Sequence, residues 1–457
     1  MTTNTQDMRA VVHTIARRAR AASAHLATTS SAVRTDAIER IATALRHDAP
    51  RILAANAEDV ADARDAVARG DMTEALLHRL VLDPKKLDHM VMSVRAVAAL
   101  DDPIGRTLAC TRLDHGLELA KVAVPLGVMV AIFEARPDAV TQIAALALKS
   151  GNAVILKGGR EATRSTHALV QCMRAALATT DIPVDVIASV DGRDAIDVLL
   201  NMDGDIDLIV PRGSNALVRS IQSRTRIPVL GHADGICHVY VDASADRDMA
   251  VRITVDSKVQ YPAACNAAET LLIDASAVTT HLPAIAAALA DEDVEVRVCP
   301  RSRAALDALI ASNPTVASHV VDATDADWRT EYGARIIACK MVDGVRDAVD
   351  HIATYGSHHT DAIVAADRGA ADYFLSHVDS AGVYHNASTR FADGFRYGFG
   401  AEVGVSTSKL HARGPVGVDG LTTYKYQLRG EGQIVSDYAG STRDGTPGRP
   451  YLHERCT

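Results

Sequence analysis

Aromatic residues are scarce in this chain. They make up 4% of 457 residues, with one Trp and five Phe. Ala and Val dominate, so any core is built from small and branched aliphatics, as buried parallel strands prefer. No run approaches the roughly 18 apolar residues of a membrane helix, so no membrane span is expected. Met1 to Met8 is polar and lacks the apolar centre of a signal peptide. No C-x-x-C pair occurs. The seven cysteines, at 110, 172, 237, 265, 299, 339 and 456, are odd in number and irregular in spacing. They predict neither a disulfide framework nor a zinc site, and they fit a reducing cytoplasm. A basic excess is also missing. The formal net charge of −9 argues against nucleic acid as a partner, because phosphate backbones need a basic face. An anionic substrate would have to meet a local basic group. Finally, no Gly-x-Gly-x-x-Gly follows a predicted strand, so the ordinary dinucleotide fingerprint is absent.

What is present is a long chain that predicts two or three domains. Apolar residues recur at helical spacing over Val11 to Leu26, Ala37 to Leu45 and Val60 to Leu77. Arg112 to Val124 alternates and ends at Pro125, which predicts a β-hairpin arm outside the main fold. Then strand and helix alternate. Leu126 to Phe133 reads as a buried strand, and Asp138 to Ser150 as a helix opened by Pro137 and stopped by Gly151. Further strands are expected at Ala153 to Leu156, Val186 to Val190, Ile206 to Val210 and Ile227 to Leu230. A second such set begins near Asp242, with strands at Thr270 to Ile273, Val294 to Val298, Arg335 to Lys340, Asp361 to Ala365 and Gly382 to His385. The alternation implies parallel sheets with right-handed crossovers. The tail after Leu421 is polar and Gly-rich. No repeat stands out.

Several segments can carry chemistry. Lys157-Gly158-Gly159 ends a predicted strand just before a helix, where backbone amides meet phosphates. With Arg160 it adds positive charge suited to a 2′-phosphate, although a plain strand-to-helix turn with solvated charges fits the same residues. Arg212-Gly213-Ser214 occupies the equivalent place after the next strand and suits a pyrophosphate, or again a plain turn. Cys265 follows Pro262, which predicts a loop-to-helix entry where a helix N-terminus lowers a thiol's pKa. A buried inert cysteine is the alternative. Asn266 offers a side-chain donor beside it. His351 to Asp361 is rich in imidazole, but no carboxylate or thiol stands at useful spacing and no metal is expected. Asn386, Ser388, Thr389 and Arg390 offer an amide, hydroxyls and a guanidinium at a strand end. Arg136 precedes a helix start. Both groups suit a carboxylate or phosphate, or a solvated loop and a salt bridge.

Taken together these segments resemble the aldehyde dehydrogenase superfamily and, within it, the γ-glutamyl phosphate reductase family. The matching stretches include Phe133-Glu-Ala-Arg-Pro137, Leu148-Lys-Ser-Gly-Asn-Ala-Val-Ile-Leu-Lys-Gly-Gly159, Gly235-Ile-Cys-His-Val-Tyr-Val-Asp242, Cys265-Asn-Ala-Ala-Glu-Thr-Leu-Leu272 and Asn386-Ala-Ser-Thr-Arg-Phe391. They are collinear and span nearly the whole chain. The resemblance implies an aldehyde-dehydrogenase-like α/β fold with two parallel-sheet α/β domains. The expected division is an NADP-binding domain at 1–242, interrupted by a hairpin arm at about 108–124, a catalytic domain at 243–421, and a tail at 422–457 used with the hairpin for homo-oligomerisation. It implies Cys265 as the nucleophile, with Asn266 beside it. It places NADP(H) on Lys157, Gly158, Gly159, Arg160, Arg212, Gly213 and Ser214, with Glu331 at the nicotinamide ribose. It implies reduction of L-glutamyl 5-phosphate in proline biosynthesis, the acyl phosphate being made by a separate glutamate 5-kinase. One departure is informative. Oxidising members carry a glutamate base near Gly231 and His232, which activates the water that hydrolyses the thioester. No glutamate stands there, as suits a reductase. The alternatives are an NAD(P)-dependent oxidiser of another aldehyde and a non-catalytic member of the fold.

Overall fold

The computed structural model describes residues 2–192, 194–232, 234–438, 440 and 447–456. Parts of the expected tail, at 439, 441–446 and 457, lie outside the described residues. Helices Thr2–Leu26, Ser31–His47, Ala49–Ala68, Glu74–Leu80 and Pro84–Ala98 fill the first hundred residues. Their starts are chemically marked. Ser30, Thr73 and Asp83 accept from the backbone N–H of Val33, Leu76 and Lys86, satisfying donors that a first turn leaves without partners. The helical pattern from Val60 to Leu77 is broken at Gly70, whose φ of +78° ends the first of two helices.

The arm is a hairpin of Thr107–Asp114 and Leu117–Pro125, starting ahead of the alternation that begins at Arg112. It forms half of a four-stranded antiparallel sheet. Thr422–Arg429 runs along its second strand from Thr422 opposite Pro125 to Arg429 opposite Glu118. Glu454–Arg455 closes the other edge. Cys110 and Cys456 are disulfide-bonded there, which corrects the expectation of free thiols throughout. Their sequence separation is 346 residues, so spacing carried no sign of the pair. The sheet alone brings their Cα atoms within 5.3 Å.

Two parallel sheets form the body. The first runs in the order Ile187–Ser189, Ala153–Gly158, Val128–Phe133, Leu208–Arg212. The strand expected at Ile227 to Leu230 shrinks to one bridge between Ile209 and Val229. The second has seven strands in the order Val320–Asp322, Glu295–Val298, Ile336–Val342, Ala268–Asp274, Cys237–Val241, Thr360–Val364, Gly382–His385. Cys237–Val241 lies between two strands of this sheet. The second sheet therefore begins at Cys237, ahead of the expected start near Asp242. The chain also returns: Ala401, Val403, Val416, Val418 and Leu421 are buried in the core around the first sheet, although 401–421 was expected to pack with the second.

Phe133 pairs level with Gly158 on one side and with Arg212 on the other. The carboxyl ends of three strands therefore open on one edge. The second sheet meets that edge with its amino ends, fed by residues 234–236, 261–267 and 357–359. Asn215 Nδ2 reaches across to Glu331 at 3.0 Å, and Arg212 faces Glu402 at 4.0 Å.

Candidate active site

Cys265 opens into a cleft of about 460 Å³ between the two sheet edges. The expected helix entry is absent. Turns follow Pro262, with Ala264 N–H donating to the Tyr261 carbonyl and Ala267 N–H to that of Ala264. The chain then enters strand Ala268–Asp274, whose Thr-Leu-Leu-Ile core prefers a pleated, buried path. Cys265 thus has no helix dipole behind it. Its backbone is instead gripped from the side. A Cβ on Gly235 would stand 2.7 Å from Cys265 Cα and closer still to its carbonyl oxygen. Only glycine permits that approach.

Four guanidiniums line the cleft: Arg79, Arg136, Arg212 and Arg390. Arg79 comes from the N-terminal helices and carried no signal in the sequence. Arg136 caps the helix Pro137–Lys149. Burial first, and then the charge of Arg212, push its pKa down. Arg390 is 7% exposed, and its Nε donates to Gln260 Oε1 at 2.9 Å. Burial is also the main cause of its lowered pKa. Among the described residues, no carboxylate forms an ion pair with Arg79, Arg136 or Arg390. Cations desolvated in this way call for an external anion.

The neighbouring loop divides its work differently from expectation. Asn386, Ser388 and Thr389 do not line the cleft. Asn386, at φ +56°, accepts from Ala365 N–H and donates to the Ala365 carbonyl, each at 3.0 Å. Ser388 Oγ accepts from Arg390 N–H and from Ser257 Oγ. Thr389 donates to the Asn266 carbonyl at 2.7 Å, and Asn266 Nδ2 donates to the Ala392 carbonyl at 2.8 Å. These residues hold Arg390 and the Cys265 turn in place. Asn266, expected as a donor to the reacting group, spends its amide on Ala392.

Two histidines flank the thiol, and one of them, His359, comes from the imidazole-rich segment where no metal was expected. One ring nitrogen each from His232 and His359, together with Cys265 Sγ, lie within 4.8 Å of one another. His232 Nδ1 lies 3.0 Å from the Val405 carbonyl, so it carries the proton and Nε2 keeps its lone pair. Burial pushes its pKa below the usual imidazole range. Each carboxylate of the cleft accepts at least one hydrogen bond. Glu331 accepts from Asn215, Glu402 from Gly394 N–H, and Asp393 from the N–H groups of Phe395 and Arg396.

Arg212, Gly213, Ser214 and Glu331 line the cleft, whereas Lys157, Gly158, Gly159 and Arg160 do not. The latter end the adjoining strand on the same edge, where Lys157 donates to the Gly158 carbonyl. Ser214 caps the helix Asn215–Gln222. Its own N–H donates to Glu134 Oε2 at 2.8 Å, and Ala135 N–H donates to Glu161 at 2.6 Å. Carboxylate oxygens therefore already satisfy anion-seeking amides at two neighbouring turns, each with a glycine whose Cβ would strike that carboxylate. A diphosphate at this edge would have to displace those carboxylates from the amides.

Residues 2–298 match the aldehyde dehydrogenase family. A γ-glutamyl phosphate reductase of Haloquadratum walsbyi is 49% identical over 423 residues, covering 93% of this chain and 91% of that protein. One from Acaryochloris marina is 50% identical over 440 residues, covering 96% and 97%. The crystal structure of γ-glutamyl phosphate reductase from Thermotoga maritima has a TM-score of 0.87 at 37% identity, over 93% of this chain and 99% of that one. An acetylating aldehyde dehydrogenase from Geobacillus thermoglucosidasius shares the fold, with a TM-score of 0.64 at 18% identity.

Proposed function

The chain belongs to the aldehyde dehydrogenase family, among the γ-glutamyl phosphate reductases, and on that premise we propose that it reduces L-glutamyl 5-phosphate to L-glutamate 5-semialdehyde with NADPH through a thioester on Cys265, as a step of proline biosynthesis. The observation that carries this reading is a thiol in a cleft where, among the described residues, Arg79, Arg136 and Arg390 form no ion pair with a carboxylate. An acyl phosphate with a distal carboxylate supplies the anions that Arg79, Arg136 and Arg390 lack.

His232 Nε2 takes the thiol proton. The Cys265 thiolate attacks the acyl carbon, the C–O bond to phosphate breaks, and inorganic phosphate leaves with both electrons of that bond. Phosphate needs no strong acid to depart. The cationic cleft stabilises the charge that develops on it. NADPH, when bound at this edge, would supply the hydride for reduction of the thioester. The thiohemiacetal then releases the aldehyde and returns the thiolate. Gly213, Ser214 and Asn215 would hold the diphosphate, with Glu331 at the ribose of the reacting ring. Lys157 and Arg160 bring positive charge to the same sheet edge, which favours NADP over NAD.

The purified protein, given glutamate 5-semialdehyde and NADP, should reduce NADP only when inorganic phosphate is present. Cys265→Ala should abolish the reaction. Retention of phosphate-dependent reduction in that variant sinks the mechanism. NADP reduction independent of phosphate would favour an aldehyde oxidiser instead.

A further inference from the structure

His359 is fully buried and its Nε2 has no hydrogen-bond partner. Its Nδ1 is already occupied, 2.9 Å from Thr360 Oγ1 and 3.7 Å from Cys237 Sγ. An unpartnered ring nitrogen in that setting is costly. The rings of His359 and His232 meet edge to face, 4.7 Å between centroids. On His232 the Val405 carbonyl holds the Nδ1 proton, again leaving Nε2 bare. This is the supporting contact that metal-binding histidines ordinarily have, with the far ring N–H donated to a carbonyl. One ring nitrogen of each histidine belongs to the cluster that includes Cys265 Sγ within 4.8 Å.

We propose that His232, His359 and Cys265 form a binding site for a thiophilic divalent ion of the Zn²⁺ class, and that the ion holds the nucleophile in a resting, blocked state. Ligand atoms on tetrahedral zinc lie about 3.5 Å apart, given bonds of roughly 2.3 Å to sulfur and 2.0 Å to nitrogen. The cluster needs about 1 Å of closure, which side-chain rotation supplies. On binding, Cys265 loses its proton to the medium. The six-coordinate aqueous ion releases five waters, gains the thiolate and two imidazoles, and keeps one water facing the cleft. Four guanidiniums in the same cleft oppose any dication. The site therefore discriminates against Mg²⁺ and Ca²⁺, which need several carboxylate or carbonyl oxygens, and selects an ion whose bond to sulfur is strong.

The test titrates reduced, metal-stripped protein with Co²⁺, a spectroscopic substitute for Zn²⁺. The expected result is a thiolate-to-cobalt charge-transfer band that saturates at one ion per chain and is displaced by Zn²⁺. Cys265→Ser should remove the band. His359→Gln should weaken Zn²⁺ binding by more than the roughly tenfold to hundredfold that loss of a supporting contact costs. If that buried variant does not fold, His232→Gln should do the same. A band that persists in Cys265→Ser overturns the proposal, as does undiminished Zn²⁺ affinity in a folded histidine variant. None of these readouts depends on the reaction that the enzyme catalyses.

Discussion

Gly235 leaves no room for a side chain, and the atoms in the way are the backbone of Cys265. Backbone cannot swing aside as a flexible side chain can. Gly235→Ala must therefore displace the Cys265 turn or its own strand entry, at a cost of about 1–3 kcal/mol. The expected outcome is a folded protein with a lower melting temperature and kcat reduced at least tenfold. KM for the acyl phosphate should change far less, because the guanidiniums are held by other elements. Steady-state kinetics on a variant with native circular dichroism checks this. A variant that keeps kcat would mean that the turn relaxes without moving the thiol.

At the scale of elements, the loop after strand Gly382–His385 exists to place Arg390. Asn386 sits in the left-handed region, which asparagine tolerates better than most residues. Its side chain ties both backbone groups of Ala365. Asn386→Ala removes both bonds and strains the backbone, so it should destabilise by about 1–3 kcal/mol and raise KM. Asn386→Gly relieves the strain alone and should recover only part of the stability. Equal stability of the two variants in urea titrations would show that the bonds, not the strain, matter. The helix Val345–Tyr355 makes a different prediction. Its His351 packs against Trp328 and Tyr355 and accepts from Lys340 Nζ. Burial, then the charges of His238 and Lys340, lower its pKa to about 2. The unfolded chain protonates this imidazole below about 6.5, whereas the folded one stays neutral. Between those values the unfolded state binds more protons, so stability falls as pH drops through 6.5. At pH 5 the loss from this group is about 2 kcal/mol. Measured from pH 7 to 5, His351→Gln should lose that much less stability than the parent chain, and an identical loss in both would refute the assignment.

For the whole molecule, the antiparallel sheet joins residues from the first third and the end of the chain. Its outer strand Thr422–Arg429 has one open edge and exposes Tyr424, Tyr426 and Leu428 at 48%, 61% and 58%. An unpaired edge bearing apolar side chains invites pairing with another chain. We expect this sheet to be the self-association surface. Leu428→Asp should shift the mass seen by light scattering towards the monomer, while Cys265 in the monomer should still react with an alkylating reagent. An unchanged mass would move the interface elsewhere.

Much of this architecture was legible in order along the chain. Continuous apolar runs predicted buried parallel strands, because a strand covered on both faces has no polar positions. Glycine- and charge-bearing turns were expected after two strands, and those strands do end on one sheet edge, while Cys265 does line the cleft. These are local or sequential properties. Contacts across the fold were not legible. Arg79 reaches the cleft from the N-terminal helices, His232 and His359 approach Cys265 from two different strand entries, and Cys110 finds Cys456 across 346 residues. The turn at Cys265, read as a helix start from Pro262, became a strand entry because the following Ala268–Asp274 is buried inside the second sheet. Residue type and periodicity report which face of an element seeks cover. They hold no record of which distant element supplies it, and that choice is made only when the two sheet edges close on each other.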